Sequence, residues 1–186
     1  MNLKKAILVC VRRAPKKMTR TVIQKVLYFA TLQGITRTVY EAHFYGPYSP
    51  EVAGTIQDLT SAKFLREREE TLDPNASPWE VRAYKYSLPK NVEEALDSVL
   101  TKDDRKDAKV LEWVVDTCMK RGSLKPKPIS IAAKVLYILH EEKQPLMASE
   151  IKKKADELGW KIAEPEIENS VVGLLSDLKF TSMRTT

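Results

Sequence analysis

The residues of this 186-residue chain that could do chemistry are few and far apart. Cys10 and Cys118 are separated by 108 positions, and their apolar neighbours at helical spacing indicate buried free thiols. A disulfide between them is possible but has no support in the sequence. His43 and His140 are isolated, and neither has the further ligands that a metal site requires. We therefore predict no metal site.

Patterns for phosphate binding and catalysis are also missing. The glycines Gly46, Gly54 and Gly122 stand alone, whereas a phosphate-binding loop needs several close together. No Ser/His/Asp arrangement has a recognisable sequence signature. His43 near Tyr45 resembles an acid–base pair, but a partly buried, hydrogen-bonded histidine is the commoner case. We predict a non-catalytic protein that needs no cofactor.

Charge is distributed unevenly along the chain. Residues 1–40 contain nine basic residues and no acid, whereas the remainder contains 22 basic residues against 25 acids. The basic residues are Lys4, Lys5, Arg12, Arg13, Lys16, Lys17, Arg20, Lys25 and Arg37. Such an arrangement favours an acidic partner, either nucleic acid or an acidic protein surface, although a solvated helix face gives the same pattern.

The first 90 residues contain the signals of three helices followed by two strands. Residues 3–13 predict the first helix, and Thr19 is a suitable N-cap for a second that ends at Gly34. The third begins at Ser49-Pro50-Glu51, where a capping hydroxyl, a proline and an acid coincide. Residues 38–45 suit a short strand or an extended connector.

Two predicted strands, 65–71 and 79–88, follow the third helix and are joined by a turn at 73–78. Three helices followed by a hairpin is the order of elements in a winged helix-turn-helix module. We therefore predict a mostly α fold with a small β hairpin (α+β) and a winged helix in residues 1–90.

Two motifs in this region resemble a known family. The first is Gln24-Lys25-Val26-Leu27-Tyr28-Phe29, and the second is Tyr45-Gly46-Pro47-Tyr48-Ser49-Pro50-Glu51-Val52. Together, over residues 3–90, they resemble the Panacea antitoxin-type domain and the related YwgA-like proteins. The resemblance implies a domain that binds a partner protein, often a toxin, and it brings no catalytic residues with it.

The motif residues also have a structural explanation. Gly46-Pro47 makes a tight turn, and the rings of Tyr45 and Tyr48 can pack on either side of it. Tyr28 lies on the preceding helix, either in the core or near that turn. A role of Tyr28, Tyr45 and Tyr48 in contacting a partner is the alternative.

The rest of the chain predicts a helical connector and a second module. The motif Asn91-x-x-Glu94 resembles a capping box that opens a helix through Leu100, and a charged stretch, 101–109, leads into another helix through Met119. Residues 91–122 form this connector, and 122–128 read as a linker.

Beyond the linker, the order of elements partly repeats. Helices at 131–142, 149–158 and from Glu164 onward predict a second winged-helix-like module over residues 123–186. Only residues 179–186 remain for its wing, so the wing is absent or reduced to one strand.

The outward residues of the two third helices disfavour sequence-specific reading of DNA. Such helices should present basic or amide side chains to the major groove. They present Glu51, Thr55, Gln57, Asp58, Ser61 and Lys63 in the first module, and Glu164, Glu166, Glu168, Asn169, Ser176 and Asp177 in the second. Non-specific backbone binding through Lys152, Lys153 and Lys154 is the alternative, which would depend strongly on salt.

These observations combine into two hypotheses. The first is a regulatory or antitoxin-like protein that binds an acidic protein partner, such as a toxin, through Arg12, Arg13, Lys16, Lys17, Arg20, Tyr28, Tyr45 and Tyr48. The second is a winged-helix transcriptional regulator that contacts mainly the DNA backbone. No apolar run reaches the roughly 18 residues of a membrane span, so we expect a cytoplasmic protein. A dimer is possible, since Leu174, Leu175 and Phe180 suit either a subunit contact or the core.

Overall fold

The computed structural model describes residues 1–14, 18–71, 82–122 and 124–180. It is mostly helical with one small antiparallel sheet, which confirms the predicted α+β class. The chain divides into two compact units. Unit 1 comprises Met1–Val39 and Ser49–Asp116, and unit 2 comprises Tyr40–Tyr48 and Thr117–Thr186. A nine-residue segment inside the sequence of unit 1 therefore belongs to unit 2.

Unit 1 contains the helices and strands predicted near the N-terminus. The helices are α1 (Leu3–Arg13), α2 (Arg20–Leu32), α3 (Pro50–Ser61), α4 (Lys90–Val99) and α5 (Lys102–Lys120), the last of which continues beyond Asp116. The strands are β1 (Met18–Thr19), β2 (Arg66–Thr71) and β3 (Arg82–Ser87). Thr19 and Ser49 cap α2 and α3 as predicted, by accepting hydrogen bonds from Val22 N and Val52 N.

The sheet contains one strand more than the predicted hairpin. Its order is β1-β3-β2, with β3 antiparallel to both neighbours. Tyr86 on β3 pairs with Met18 on one side and with Glu67 on the other. β1 is only two residues long, so it shows no alternation of apolar and polar residues. The predicted turn at 73–78 lies outside the described residues.

Two predicted helix starts are wrong. α4 begins at Lys90 after Pro89, so Asn91 lies within the helix and the predicted capping box does not form. α5 begins before the end of the charged stretch at 101–109, because Thr101 and Asp104 exchange hydrogen bonds of 3.1 Å between side chain and backbone N–H. The reciprocal cap is therefore ten residues further along the chain than predicted.

Unit 2 contains α6 (Pro126–Glu142), α7 (Ala148–Glu157) and α8 (Glu164–Ser170), followed by a π-helical turn, Val171–Leu175. α6 begins inside the predicted linker, because a proline is well tolerated in the first turn of a helix. Buried apolar side chains of all three helices form the core of this unit. They include Ile129, Val135, Ile138, Ile151, Trp160, Ile167 and Leu175.

The core of unit 1 is built on α1 and α2. All residues from Ala6 to Val11 are buried, as are all from Val22 to Ala30, so both helices are covered on more than the single face predicted. The stretch in α2 includes two polar side chains, Gln24 and Lys25, each 2% exposed. Buried polar groups require hydrogen-bond partners.

Gln24 obtains its partners from the second sequence motif. Its side-chain Nε2 donates to the carbonyl oxygen of Ser49 at 2.9 Å, and its Oε1 accepts from Ser49 N at 3.1 Å. The amide thus pairs with one residue as a neighbouring strand would. Since Ser49 also caps α3, this pair joins the centre of α2 to the start of α3.

Replacing Gln24 by alanine should destabilise the protein by about 1–3 kcal/mol, because the buried N–H of Ser49 loses its partner, whereas the Ser49 carbonyl still accepts from Ala53 N at 3.2 Å. Urea unfolding followed by circular dichroism measures this. Gln57→Ala is the matched control, since Gln57 is an exposed glutamine of α3 and should change stability by less than about 0.5 kcal/mol. Equal stability of the two variants would show that the pair contributes nothing.

Candidate binding surface

The segment Tyr40–Tyr48, here called the aromatic loop, belongs to unit 2 and contains two of the predicted site residues. Its ends are joined by an antiparallel bridge between Glu41 and Tyr48. Glu41 N donates to Tyr48 O at 3.0 Å, and Tyr48 N donates to Glu41 O at 2.9 Å. The bridge gives extended backbone at Glu41, within the predicted strand or connector at 38–45, and closes the loop at its base.

A tight turn forms the tip of the aromatic loop. Gly46 N donates to the carbonyl of His43 at 2.8 Å, which closes a four-residue turn with Phe44 and Tyr45 at its centre. Gly46 has a φ of 94°, a left-handed conformation that strains other residues. Backbone geometry therefore explains the glycine of the Tyr-Gly-Pro-Tyr motif, although the turn spans His43 to Gly46 and is not centred on Gly46-Pro47 as predicted.

Two aromatic residues of the helical part of unit 2 hold the loop in place. The indole Nε1 of Trp160 donates to the carbonyl of His43 at 2.8 Å, and the backbone N–H of Ala42 bonds to the hydroxyl of Tyr137. The rings of Tyr137 and Trp160 meet edge to face, with centroids 5.8 Å apart. The His43 carbonyl thus accepts two hydrogen bonds, one from the turn and one from Trp160.

Burial controls the electrostatics around these anchors. The pKa of the Tyr137 hydroxyl is raised, first by burial and then by the carboxylate of Glu141. The ammonium of Lys134 lies 5.4 Å from the centroid of the Trp160 ring, and partial burial lowers its pKa. A neutral phenol suits Tyr137 as a structural hydrogen-bonding group.

The turn presents its two central side chains to solvent. Phe44 is 70% exposed and Tyr45 43% exposed, with their rings edge to face at a centroid separation of 5.0 Å. The rings of His43 and Tyr48 lie 5.0 Å apart at an angle of 34°. An outward aromatic pair on a loop whose backbone is hydrogen-bonded at base and tip is the kind of anchor that protein interfaces use.

Tyr28, the third predicted aromatic contact, lies elsewhere. It is 3% exposed within unit 1, with its ring 6.1 Å from that of Phe29. Tyr28 is therefore a core residue of unit 1, whereas we had predicted it on a partner-binding surface. Residues at adjacent positions of α2 are both buried because the helix is covered all round, which a one-sided helical pattern does not reveal.

The predicted basic residues of unit 1 are largely engaged with acids of the same unit. Arg12 lies 2.6 Å from Asp97 and 3.4 Å from Glu112. Arg13 forms a two-pronged pair with Asp116, with both distances 2.7 Å, and this contact raises the pKa of its guanidinium. The cations of α1 thus face acids of α4 and α5.

Arg20 is engaged at the sheet instead. Its guanidinium contacts the hydroxyl of Tyr86 at 2.7 Å and the carboxylate of Glu67 at 3.4 Å. Burial, followed by the hydrogen bond to Glu67, raises the pKa of Tyr86 to about 12. Lys16 and Lys17, the remaining members of the predicted basic face, lie outside the described residues.

The lysines proposed for backbone contact with DNA are arranged along α7. Lys152 pairs with Asp156 at 3.1 Å, and Lys154 pairs with Glu142 at 2.9 Å, which raises the pKa of Lys154. Lys153 is exposed and has no ion pair within the described part of the chain. The three lysines therefore do not form an uncompensated basic patch.

Phe44 and Trp160 were not among the site residues predicted from the sequence. Phe44 precedes Tyr45 at a predicted turn, so an aromatic pair before Gly46-Pro47 was the available signal. Trp160 follows Gly159, a left-handed residue that ends α7. No sequence signal connects it with His43, 117 positions away.

Within the described ranges, no group of three or more His, Cys, Asp or Glu side chains is arranged to hold a metal ion. In the same ranges, no helix is both long and apolar enough to cross a bilayer.

No model of a known protein family matches the chain, and no curated protein matches it either. The resemblance to Panacea-type domains therefore stays a prediction.

Trp160→Phe keeps the ring but removes the N–H that binds His43. Because the carbonyl still accepts from Gly46, the loss should be about 1 kcal/mol, and the amides of Gly46 and Tyr48 should exchange roughly fivefold faster. Hydrogen exchange measures this, with Trp113→Phe in α5 as the control. Unchanged exchange in Trp160→Phe would contradict the anchoring role.

The pH dependence of stability should contain a contribution from Asp104. Lys5, 2.6 Å away, and the backbone N–H of Thr101 lower the pKa of this carboxyl to about 2, against about 3.9 when unfolded. A lowered folded pKa stabilises the protein above about pH 4, and that stabilisation disappears as the pH falls toward 2.

Asp104→Asn should therefore cost about 1–2 kcal/mol at pH 7 and progressively less toward pH 2. Thermal unfolding at a series of pH values measures the difference. Asp103→Asn, at a side chain 88% exposed, is the neighbouring control. A difference between Asp104→Asn and the parent that is independent of pH would refute the assignment.

Proposed function

We propose that this chain is a non-catalytic binding protein that contacts a partner protein through the aromatic loop. The observation that supports this is the outward pair Phe44–Tyr45 on a turn fixed by Gly46, Trp160 and Tyr137. A large apolar pair that is already ordered loses little conformational entropy on binding. The partner should offer an apolar pocket, and the family resemblance suggests a toxin as its class.

The aromatic loop replaces the basic face as the centre of the proposed contact. Arg12 and Arg13 already pair with Asp97, Glu112 and Asp116, so an acidic partner would have to displace these carboxylates. Exchange of one ion pair for another yields little net free energy near the surface. The rings of Phe44 and Tyr45 are exposed, so a partner can contact them without displacing an ion pair.

For unit 1 we propose a winged-helix module. The order α1-β1-α2-α3-β2-β3 and the strand order β1-β3-β2 support it, because winged helices place their short first strand beside the last. This order is also the reason to keep DNA binding as a second candidate function. The outward side chains of α3 weigh against it, since Glu51 and Asp58 are acidic and Gln57 is neutral.

The Phe44→Ser, Tyr45→Ser double variant should lose at least roughly 30-fold in affinity for the partner, as expected when interface anchors are truncated. A photo-crosslinking residue at position 44 first identifies the partner in the native cell. The same residue at position 64, outside the aromatic loop, is the reference for non-specific crosslinking. Calorimetry with the purified partner then measures the affinity. Phe64→Ser, at an exposed phenylalanine of unit 1, is the control.

Further variants separate this proposal from its alternatives. The double variant Arg13→Asp, Asp116→Arg keeps an ion pair but exchanges the positions of its two charges. If this variant binds the partner more weakly, the basic face is favoured as the contact surface. Binding of the parent protein to a duplex near physiological salt, unaffected by Phe44→Ser and Tyr45→Ser, would favour DNA. Wild-type affinity of the double variant for the crosslinked partner would overturn the proposal.

A further inference from the structure

Two carboxylates lie beside the contact that holds the aromatic loop on α6. Glu41 directly precedes Ala42, whose backbone N–H bonds to the hydroxyl of Tyr137, and Glu141 follows Tyr137 by one helical turn. After burial, both carboxylates raise the pKa of that hydroxyl, Glu141 more than Glu41. One acid from the loop and one from the helix therefore lie near the same hydroxyl.

Neither carboxylate is neutralised by a lysine or an arginine within the described ranges. Glu41 is exposed and forms no ion pair there. Glu141 is also exposed, and its Oε1 lies 3.6 Å from Nδ1 of His140, a contact that is an ion pair only when the imidazole is protonated. The next acid of α6 differs, because Glu142 lies 2.9 Å from the ammonium of Lys154.

Lys134 is on the same face of α6, but its ammonium is directed at a ring. It lies 5.4 Å from the centroid of Trp160, and partial burial lowers its pKa. Seven residues separate Lys134 from Glu141, which is about 10 Å along the helix axis. This one cation offsets at most one of the two negative charges, so the base of the aromatic loop has an acidic edge, Glu41 and Glu141.

The acidic edge lies within electrostatic range of the exposed aromatic pair. Glu41 precedes Phe44 by three residues, so their Cα atoms are at most about 11 Å apart. Charges act over roughly this distance in 0.1 M salt, where the Debye length is about 10 Å. A partner that receives Phe44 and Tyr45 in a pocket therefore brings the edge of that pocket close to the carboxylate of Glu41.

We propose that the partner of the aromatic loop carries Lys or Arg side chains at the edge of the apolar pocket that receives Phe44 and Tyr45. Glu41 and Glu141 meet those cations, and binding relieves the repulsion between two unneutralised carboxylates. This rests on the proposed function, because the cations belong to the partner of the same loop. The nine cations of the first 40 residues had favoured a partner of the opposite charge.

Association kinetics separate the acidic edge from the aromatic pair, because charges at the rim of an interface act mainly on the association rate. In 50 mM salt, the Glu41→Gln, Glu141→Gln variant should bind the partner crosslinked at position 44 roughly three- to tenfold more slowly. Its dissociation rate should stay within about twofold of the parent rate. Stopped-flow mixing with the purified partner measures both rates.

Salt supplies a readout with a sign. Raising the salt concentration from about 50 to 500 mM should slow association of the parent and change that of the glutamine variant little, since salt screens exposed charges. The Glu41→Lys, Glu141→Lys variant should associate faster as salt rises, because its charges then repel those of the partner. Both acids are exposed, so these changes should leave the melting temperature within about 2 °C of the parent.

The matched control is Glu164→Gln, Glu168→Gln, which removes the same net charge from exposed positions of α8 in the same unit. This variant should associate at the parent rate. If it is slowed as much as Glu41→Gln, Glu141→Gln, net charge explains the effect and the acidic edge is refuted.

Slower association of Glu41→Gln, Glu141→Gln alone supports a basic pocket edge. Unchanged or faster association overturns it, and the proposed function still stands if Phe44→Ser, Tyr45→Ser weakens the complex. Parent-like affinity of that serine variant, or no protein crosslinked at position 44, removes the proposed function and this inference together.

Discussion

The pairing of the Gln24 side chain with the backbone of Ser49 is the interaction on which much of unit 1 depends. It satisfies a polar side chain in the most buried helix of the unit and both backbone groups of the residue that caps α3. A hydrophobic residue at position 24 would leave the buried N–H of Ser49 unpaired and its carbonyl with only the hydrogen bond from Ala53 N. This pair explains why the two sequence motifs occur together, since each supplies half of one contact.

Unit 1 also shows that the net charge of a sequence segment can differ from the charge that the folded segment leaves unpaired. The N-terminal 40 residues contain nine cations and no acid, yet Lys5, Arg12 and Arg13 each contact a carboxylate of α4 or α5. These acids lie some 85–103 positions further along the chain. The cations therefore help to position helices within unit 1. The net charge of a segment predicts a partner only when the rest of the chain leaves that segment uncovered.

Sequence reasoning succeeded where structure is decided by a few neighbouring residues. The starts of α2 and α3 follow from Thr19 and from Ser49-Pro50, whose capping contacts span only three positions. It failed where local signals compete: Asn91 had a capping-box pattern, but Pro89 begins α4 two residues earlier. β1 was missed because two residues have no periodicity, and it exists only through the pairing of Met18 and Thr19 with β3.

The candidate surface was predictable in part for the same reason. The turn at Gly46 and the presence of Tyr45 on it follow from local sequence, whereas the support from Trp160 and Tyr137 depends on contacts across about 95–117 positions. Burial separated Tyr28 from Tyr45 although both belong to one sequence resemblance. The residues that carry the resemblance thus include some that build the fold and some that the fold exposes.

The aromatic loop of unit 2 adds apolar surface at a position that hydrogen bonds hold in place. Phe44 carries a cost in the isolated chain, because it leaves apolar surface in water. The edge-to-face contact with Tyr45 covers part of that surface, and Phe44 is still 70% exposed. Surface features that reduce the stability of the free protein are reasonable where another molecule supplies the compensating contacts. The exposed Phe44 is therefore the observation that supports the proposed contact on the aromatic loop, whereas Lys5, Arg12 and Arg13 of α1 are paired within unit 1.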